Sequence, residues 1–262
     1  MTKRCPFLWA RERGFTLVEA IIVIVLTGIL ASAVAVFLRV PIQGYLDVAR
    51  RAELTDIADT ALRRIGRDLR MALPNSIRVT AGNSAIEFIP TKSAGRYREA
   101  GPGNFIDFSA PTVSSFDVIG PGVDIQAGDS IVIYNLGITG ADVYAGSNRR
   151  APSSVGSGLS TMTFAVLAQF PFSSPARRFH VVSTPASYIC AGGLLNRYWN
   201  YGFGVTPPAG SSGALASHVS SCRFTYEPGV TAQNGLVTLE LAITKDDETI
   251  NLVQQVHVSN VP

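Results

Sequence analysis

The chain is 262 residues long, 47% hydrophobic and only 16% charged, with 24 glycines and 15 prolines. That mix disfavours an all-helical fold and suits a strand-and-turn domain with one core of ordinary size and some additional segments. The formal net charge of +3 is carried by residues 1–14, where Lys3, Arg4, Arg11 and Arg13 stand against Glu12. The rest of the chain is neutral, which excludes a general electrostatic footprint for nucleic acid. A basic block beside an apolar run is a membrane-topology signal instead.

The apolar run follows at once. Residues 20–38 read AIIVIVLTGILASAVAVFL without a charge, and Phe15, Leu17 and Val18 extend the run upstream. As a helix, Phe15 to Leu38 is long enough to cross a hydrocarbon core of about 30 Å. The basic residues before it favour a cytoplasmic N-terminus and export of everything after it. Two plain readings, a secretory signal peptide cut after Ala31-Ser32-Ala33 and a simple single-pass anchor, leave Glu19 without a reason. A carboxylate at that depth costs about 2.5–3.5 kcal/mol on insertion scales and is a functional-site hypothesis by default. If the chain is cut between Gly14 and Phe15, the new α-amino group of Phe15 is cationic at neutral pH. It then lies about one helical turn from Glu19, and a Glu19 from a neighbouring helix can meet it.

RGFTLVEAIIVIVLTGIL closely resembles the N-terminal signal of type IV prepilins and type II secretion pseudopilins. These have a short basic leader, a glycine, a phenylalanine, a glutamate at the fifth mature position and about twenty apolar residues. The resemblance implies cleavage after Gly14 by a membrane-embedded prepilin peptidase and N-methylation of Phe15 by the same enzyme. It also implies docking through Glu19. Gly14 has a physical rationale, since a residue without a side chain lets the scissile backbone approach catalytic carboxylates closely. Implied partners are the peptidase/methyltransferase, other minor and major pilins, and, indirectly, an inner-membrane platform protein with its assembly ATPase. The implied location is the inner membrane with a periplasmic head, with the pilus tip at the cell surface as a later address.

Beyond the run, Pro41 predicts a kink or brief break in the helix. Leu54, Ile57, Ala58, Ala61, Leu62, Ile65, Leu69 and Ala72 then recur at three- and four-residue intervals, the pattern of an amphipathic helix. Asp47–Arg51, Asp59–Arg63 and Arg64–Asp68 are spaced to pair along it. Pro74 and Asn75 mark its end. Arg63, Arg64, Arg67 and Arg70 cluster there; they complement the helix C-terminus, with subunit contacts or a DNA-binding stripe as the alternatives.

After Asn75 the periodicity shortens. Residues 84–90, 104–108, 115–119, 129–134, 161–167, 178–183, 186–190 and 221–226 read as strands separated by Gly and Pro, while 136–160 and 204–218 read as loops. The clearest hairpin runs from Val237, Leu239, Leu241 and Ile243 through a turn at 245–248 to Ile250, Leu252, Val256 and Val258. The expected fold is α+β and pilin-like: a long N-terminal helix, kinked near Pro41, packed on an antiparallel β-rich head. The segments are a leader at 1–14, a transmembrane helix at 15–39, its amphipathic continuation at 40–74 and the head at 75–262.

Of three cysteines, Cys5 lies in the leader; Cys190 and Cys222 have no metal-ligand spacing. In an oxidising compartment they can close one bridge, the alternative being two buried thiols. Asp246-Asp247-Glu248 lacks the alternating spacing of a calcium loop and reads as a charged hairpin tip, so no metal and no cofactor is expected. Tyr198, Trp199, Tyr201 and Phe203 read as core or loop packing, with a sugar- or partner-binding surface as the alternative. His180, His218 and His257 stand in no catalytic motif, and the chain reads as structural rather than enzymatic.

Three stretches narrow the resemblance. Residues 41–79, SYIC with the later CRFTYEPG, and the closing QQVHVSNVP are similar to MshO-type minor pilins of mannose-sensitive haemagglutinin (MSHA) pili. Residues 92–160 carry little of this likeness. PilW-type minor pilins and GspJ-type minor pseudopilins are the related alternatives.

Overall fold

The computed structural model describes residues 14–80, 82–110, 112–229 and 234–262; the basic leader before Gly14, with Cys5, falls outside them. One long helix, α1 (Leu17–Arg70), is followed by β1 (Arg78–Thr80), β2 (Ala85–Phe88), β3 (Thr91–Tyr97), β4 (Val113–Ile119), β5 (Val123–Ile125), β6 (Ser130–Ile133), β7 (Arg149–Arg150) and β8 (Gly156–Leu159). Then come β9 (Thr161–Ala168), β10 (Arg178–Val182), β11 (Ala186–Ala191), β12 (Leu194–Trp199), β13 (Ser211–Ser217), β14 (Val219–Glu227), β15 (Gly235–Lys245) and β16 (Glu248–Val258). The strands form antiparallel sheets in the orders β1-β2-β11-β12-β13, β7-β6-β10-β3-β4-β9 and β14-β15-β16, with β5 and β8 paired apart. The chain divides into two compact units, residues 1–52 and 53–262.

In the second unit, the helical stripe expected from the sequence is the spine of the largest core. Leu54, Ala58, Ala61, Leu62, Ile65 and Leu69 are buried against Ile86, Phe88, Tyr188 and Leu195 of one sheet and Phe224, Val237, Leu239, Ile243 and Val256 of another. Gly66 marks the closest approach: a Cβ there would lie 3.2 Å from Val256 Cγ2 and from Gln254 Nε2. Asp68 ties the same helix to the first sheet, accepting from the Tyr188 hydroxyl at 2.7 Å and from Arg197 Nε at 3.1 Å. It is thereby taken from Arg64, the partner that its spacing suggested. Asp59 does pair with Arg63, at 2.6 Å. A separate core fills the six-stranded sheet, where Phe116 packs edge-on against Phe179 and Tyr97.

Several elements differ from the sequence expectation. Of the kink or brief break expected at Pro41, the break does not occur: helical structure runs through it. The helix ends at Arg70 rather than at Pro74, because the next backbone groups are captured by a strand: Leu73 N–H donates to Ile89 O and Thr91 N–H to Met71 O. Residues 104–108 are not a strand. Gly101 and Gly103 adopt positive φ just before them, and only single backbone bonds anchor the segment, including Ile106 N–H to Arg98 O. The Ser/Gly/Ala-rich segment 204–218, expected as a loop, contains β13, and 136–160 contains β7 and β8. Small side chains do not prevent a backbone ladder at a sheet edge. The turn in the last hairpin is Asp246-Asp247, both at positive φ, the conformation a two-residue hairpin loop requires.

Where the chain leaves α1, buried amides hold it. Asn135 Nδ2 donates to Pro74 O at 2.8 Å, and Asn75 Nδ2 donates to Asn135 O and to Asn260 O. The C-terminal segment is thus bonded to the end of the helical spine. Cys190 of β11 and Cys222 of β14 are joined by a disulfide that connects the five-stranded sheet to the three-stranded one. Their separation of 32 residues implies about 3–4 kcal/mol of stabilisation in the chain-entropy model. Replacing both with serine should lower the unfolding free energy of the full chain by about that amount in urea titrations under oxidising conditions, with α1–sheet packing retained.

Candidate functional site

The site begins where the described chain begins. Among the described residues no atom lies within 4 Å of where a Cβ on Gly14 would stand, so none of them demands glycine at this position. Phe15 follows, 77% exposed. Thr16 caps α1: its carbonyl accepts from Ala20 N–H at 3.1 Å, and its Oγ1 accepts from Glu19 N–H at 3.3 Å. Thr16-Leu17-Val18-Glu19 is thus a helix-start sequence in which the glutamate occupies the third helical position, beside the positive end of the helix dipole. The sequence reading passed over this cap, although Ser/Thr-x-x-Glu before an apolar run is a recognisable signal. Among the described residues no basic side chain lies within ion-pair distance of Glu19, so its carboxylate is open to an outside partner.

The helix that carries Glu19 has no apolar partner of its own in this stretch. No large apolar side chain from Phe15 to Leu38 is less than 49% exposed. The hydroxyls of Thr27 and Ser32 are satisfied locally: Thr27 donates to Val23 O at 2.6 Å and Ser32 to Ile29 O at 2.8 Å. A stretch whose hydroxyls after Glu19 are bonded inside its own helix, and whose apolar groups are presented outward, is suited to a medium that offers no hydrogen bonds. By length and composition α1 is able to cross a membrane.

The head residues singled out from sequence scatter rather than converge. Tyr201 is buried and donates to Glu87 Oε1 at 2.9 Å, while Glu87 also pairs with Arg78. Burial, reinforced by that carboxylate, pushes the Tyr201 hydroxyl well above its ordinary pKa. Phe203 lies under the Arg149 guanidinium, 3.4 Å from ring centroid to Cζ, and Trp199 is near Arg197. Tyr201, Phe203 and Trp199 therefore each meet a different partner in the head. Among the described residues no group of three His, Cys, Asp or Glu side chains is placed to hold a metal ion. His180 sits in β10 between Ala94 and Val132, and His257 in β16 opposite Leu236. Burial first, and Arg178 second, lower the pKa of His180 from 6.5 to about 4. Among the described residues no carboxylate or hydroxyl is bonded to its ring, and the charge that acts on it is the cation Arg178.

Among known proteins, the model of the prokaryotic N-terminal methylation motif matches residues 9–35. No curated protein and no solved structure matches the chain. The motif, the single exposed apolar helix and the antiparallel β-rich region packed on its second half together fit the class of type IV pilins and pseudopilins. Proteins of that class are structural rather than catalytic. The motif implies processing by a prepilin peptidase and association with other pilins, and the apolar helix fits a membrane-anchored protein.

His180 gives a pH test of the head. Its folded pKa is depressed, so the unfolded chain binds more protons between pH 6.5 and about 4. Its contribution is complete above pH 6.5 and is lost as pH falls toward 4, in all roughly 1–3 kcal/mol. Unfolding titrations should show His180→Gln with a flatter stability slope than the parent over that window and the same slope above it.

Proposed function

We propose that this chain is a minor pilin of an MSHA-type type IV pilus, cut after Gly14, methylated at Phe15, and helping to initiate or cap the filament. The observation that carries the pilin part of this reading is the junction itself. No described residue gives Gly14 a structural reason, Phe15 is exposed, and Glu19 has an open carboxylate at the start of a helical stretch that no other described residue covers. The finer assignment, to a minor subunit of the MSHA type, rests on the likeness of residues 41–79, 187–190, 222–229 and 254–262. Support for a specialised subunit also comes from the size of the head, which holds more than one sheet and more than one core.

In this reading the chain enters the inner membrane with residues 1–14 on the cytoplasmic side and the head in the periplasm. Residues 15–39 span the bilayer and residues 40–74 continue toward the head. Peptidase cleavage creates a cationic amine at Phe15, and methylation keeps it cationic. The carboxylate of Glu19 then pairs with the Phe15 amine of a neighbouring subunit as the helix exchanges lipid for other helices. A charge pair in a medium of low dielectric is worth far more than one in water, so the pair enforces axial register between subunits.

Two variants separate docking from capping. Glu19→Gln retains a side chain suited to the helix start but loses the charge; Glu19→Val loses both. Both proteins should insert and be processed, giving a mature mass that begins at methylated Phe15, and both should be missing from sheared filaments. Normal incorporation of Glu19→Gln would assign Glu19 to the cap alone. Gly14→Leu should leave the leader attached. The GspJ-type alternative is separated by phenotype: deletion should abolish MSHA-type surface pili and leave export of folded hydrolases unchanged.

A further inference from the structure

The last strand of the head presents a long unoccupied edge beside a basic groove. β16 terminates the sheet β14-β15-β16. Because the hairpin is closed by two residues, Lys245 and Glu248 form its first bonded pair, and bonded and non-bonded pairs alternate from there. The even-numbered residues of β16 therefore bond to β15. Thr249, Asn251, Val253, Gln255 and His257 direct their N–H and C=O groups away from the sheet. Among the described residues none of these five has a backbone partner outside the β15 ladder. The row is about 27 Å long at the rise of a strand.

Against this edge, between β16 and α1, lies a groove of about 640 Å³ lined by Val253 and Gln254 on one side and Asp59, Arg63, Arg67 and Arg70 on the other. Asp59 is neutralised by Arg63 at 2.6 Å. Among the described residues Arg67 and Arg70 have no acidic partner. Asp68, the nearest carboxylate in sequence, is turned to Tyr188 and Arg197 on the sheet. Two guanidinium groups with no acidic partner among the described residues thus line the groove beside the open edge.

We propose that β16 is a docking edge for an extended acidic segment of another protein, which adds as a fourth strand to β14-β15-β16 and places alternate carboxylates against Arg67 and Arg70. The row of backbone donors and acceptors selects a polypeptide strand. The free arginines select its charge. A second copy pairing through its own β16 is the wrong occupant: it brings the same arginines to face these ones. On that face of its β16, Ile250, Leu252, Gln254 and Val256 carry no carboxylate, and the single one is Glu248 at the hairpin end. This surface lies wholly within the unit of residues 53–262, and its test does not depend on processing at Gly14.

The probe is a synthetic peptide alternating valine and glutamate, added to the full chain in detergent micelles, with the same peptide carrying lysine for glutamate as control. Amide hydrogen exchange at Asn251, Val253 and Gln255 should slow with the glutamate peptide. The lysine peptide should bind at least about tenfold more weakly, the loss of roughly one good charge pair. Arg67→Glu combined with Arg70→Glu, both exposed changes, should reverse that preference. Val253→Pro removes an outward N–H without touching the β15 ladder and should abolish protection. Equal binding of the two peptides, binding without protection of these three amides, or no protection at millimolar peptide would each overturn the proposal. So would sedimentation showing that the chain dimerises through β16, or single-stranded DNA displacing the peptide from wild type while protecting no amide.

Discussion

A single helix in this protein has two kinds of surface, and the difference between them organises the rest. From Phe15 to Leu38 it is apolar all round and exposed all round, so its apolar area stays in contact with whatever surrounds the chain. At roughly 25 cal/mol per Å² of apolar surface, such a segment is untenable in water and stable in lipid or against other helices. From Leu54 to Leu69 the same helix is apolar along one stripe, and that stripe is covered by the chain's own sheets. One sequence of side chains thus asks for an external partner in its first half and supplies an internal core in its second.

The head has to hold its sheets around that stripe although they come from distant parts of the chain. Three kinds of tie do so. Apolar contact brings β2, β11, β14, β15 and β16 to the helix. Polar ties are sparse and well satisfied: Asp68 to Tyr188 and Arg197, and the amides of Asn75, Asn135 and Asn260 around the helix exit. The Cys190–Cys222 bridge links two sheets that share no ladder. His218 at positive φ lies between β13 and β14, where the chain passes from one of these sheets to the other. A bridge placed a few residues beyond that passage limits how far the two sheets can separate in the unfolded chain.

Glu19 shows how a residue can answer two demands at once. As the third residue of α1 its backbone N–H is taken up by Thr16, and its carboxylate favours the helix start. The cap explains why a helix begins there. It does not by itself explain a carboxylate ahead of an uninterrupted apolar run, since a neutral side chain at this position caps as well. The docking reading uses the part of Glu19 that capping leaves over.

Much of the fold was legible in the sequence wherever periodicity was strong and local. The apolar run, the stripe from Leu54 to Leu69 and the β15–β16 hairpin all follow from spacing, because burial on one face imposes a repeat on the side chains. Thr16, three residues before Glu19, carries an equally legible cap signal. The junction at Gly14, Phe15 and Glu19 was readable as a motif. The pairings of Asp68 with Tyr188, Glu87 with Tyr201 and Asn135 with Pro74 were not, because these partners lie 120, 114 and 61 residues away and the last is a backbone group with no sequence signature. Residues 104–108 looked like a strand and β13 did not, since a strand is decided by whether a neighbouring backbone is there to bond. The sequence alone determined that one helix must meet an apolar medium and that a strand-rich head follows it. Only the tertiary structure decided which sheet covers which side of that helix, where the helix stops, and which strand edge is left open. Those outcomes depend on hydrogen bonds and contacts between segments far apart in the chain.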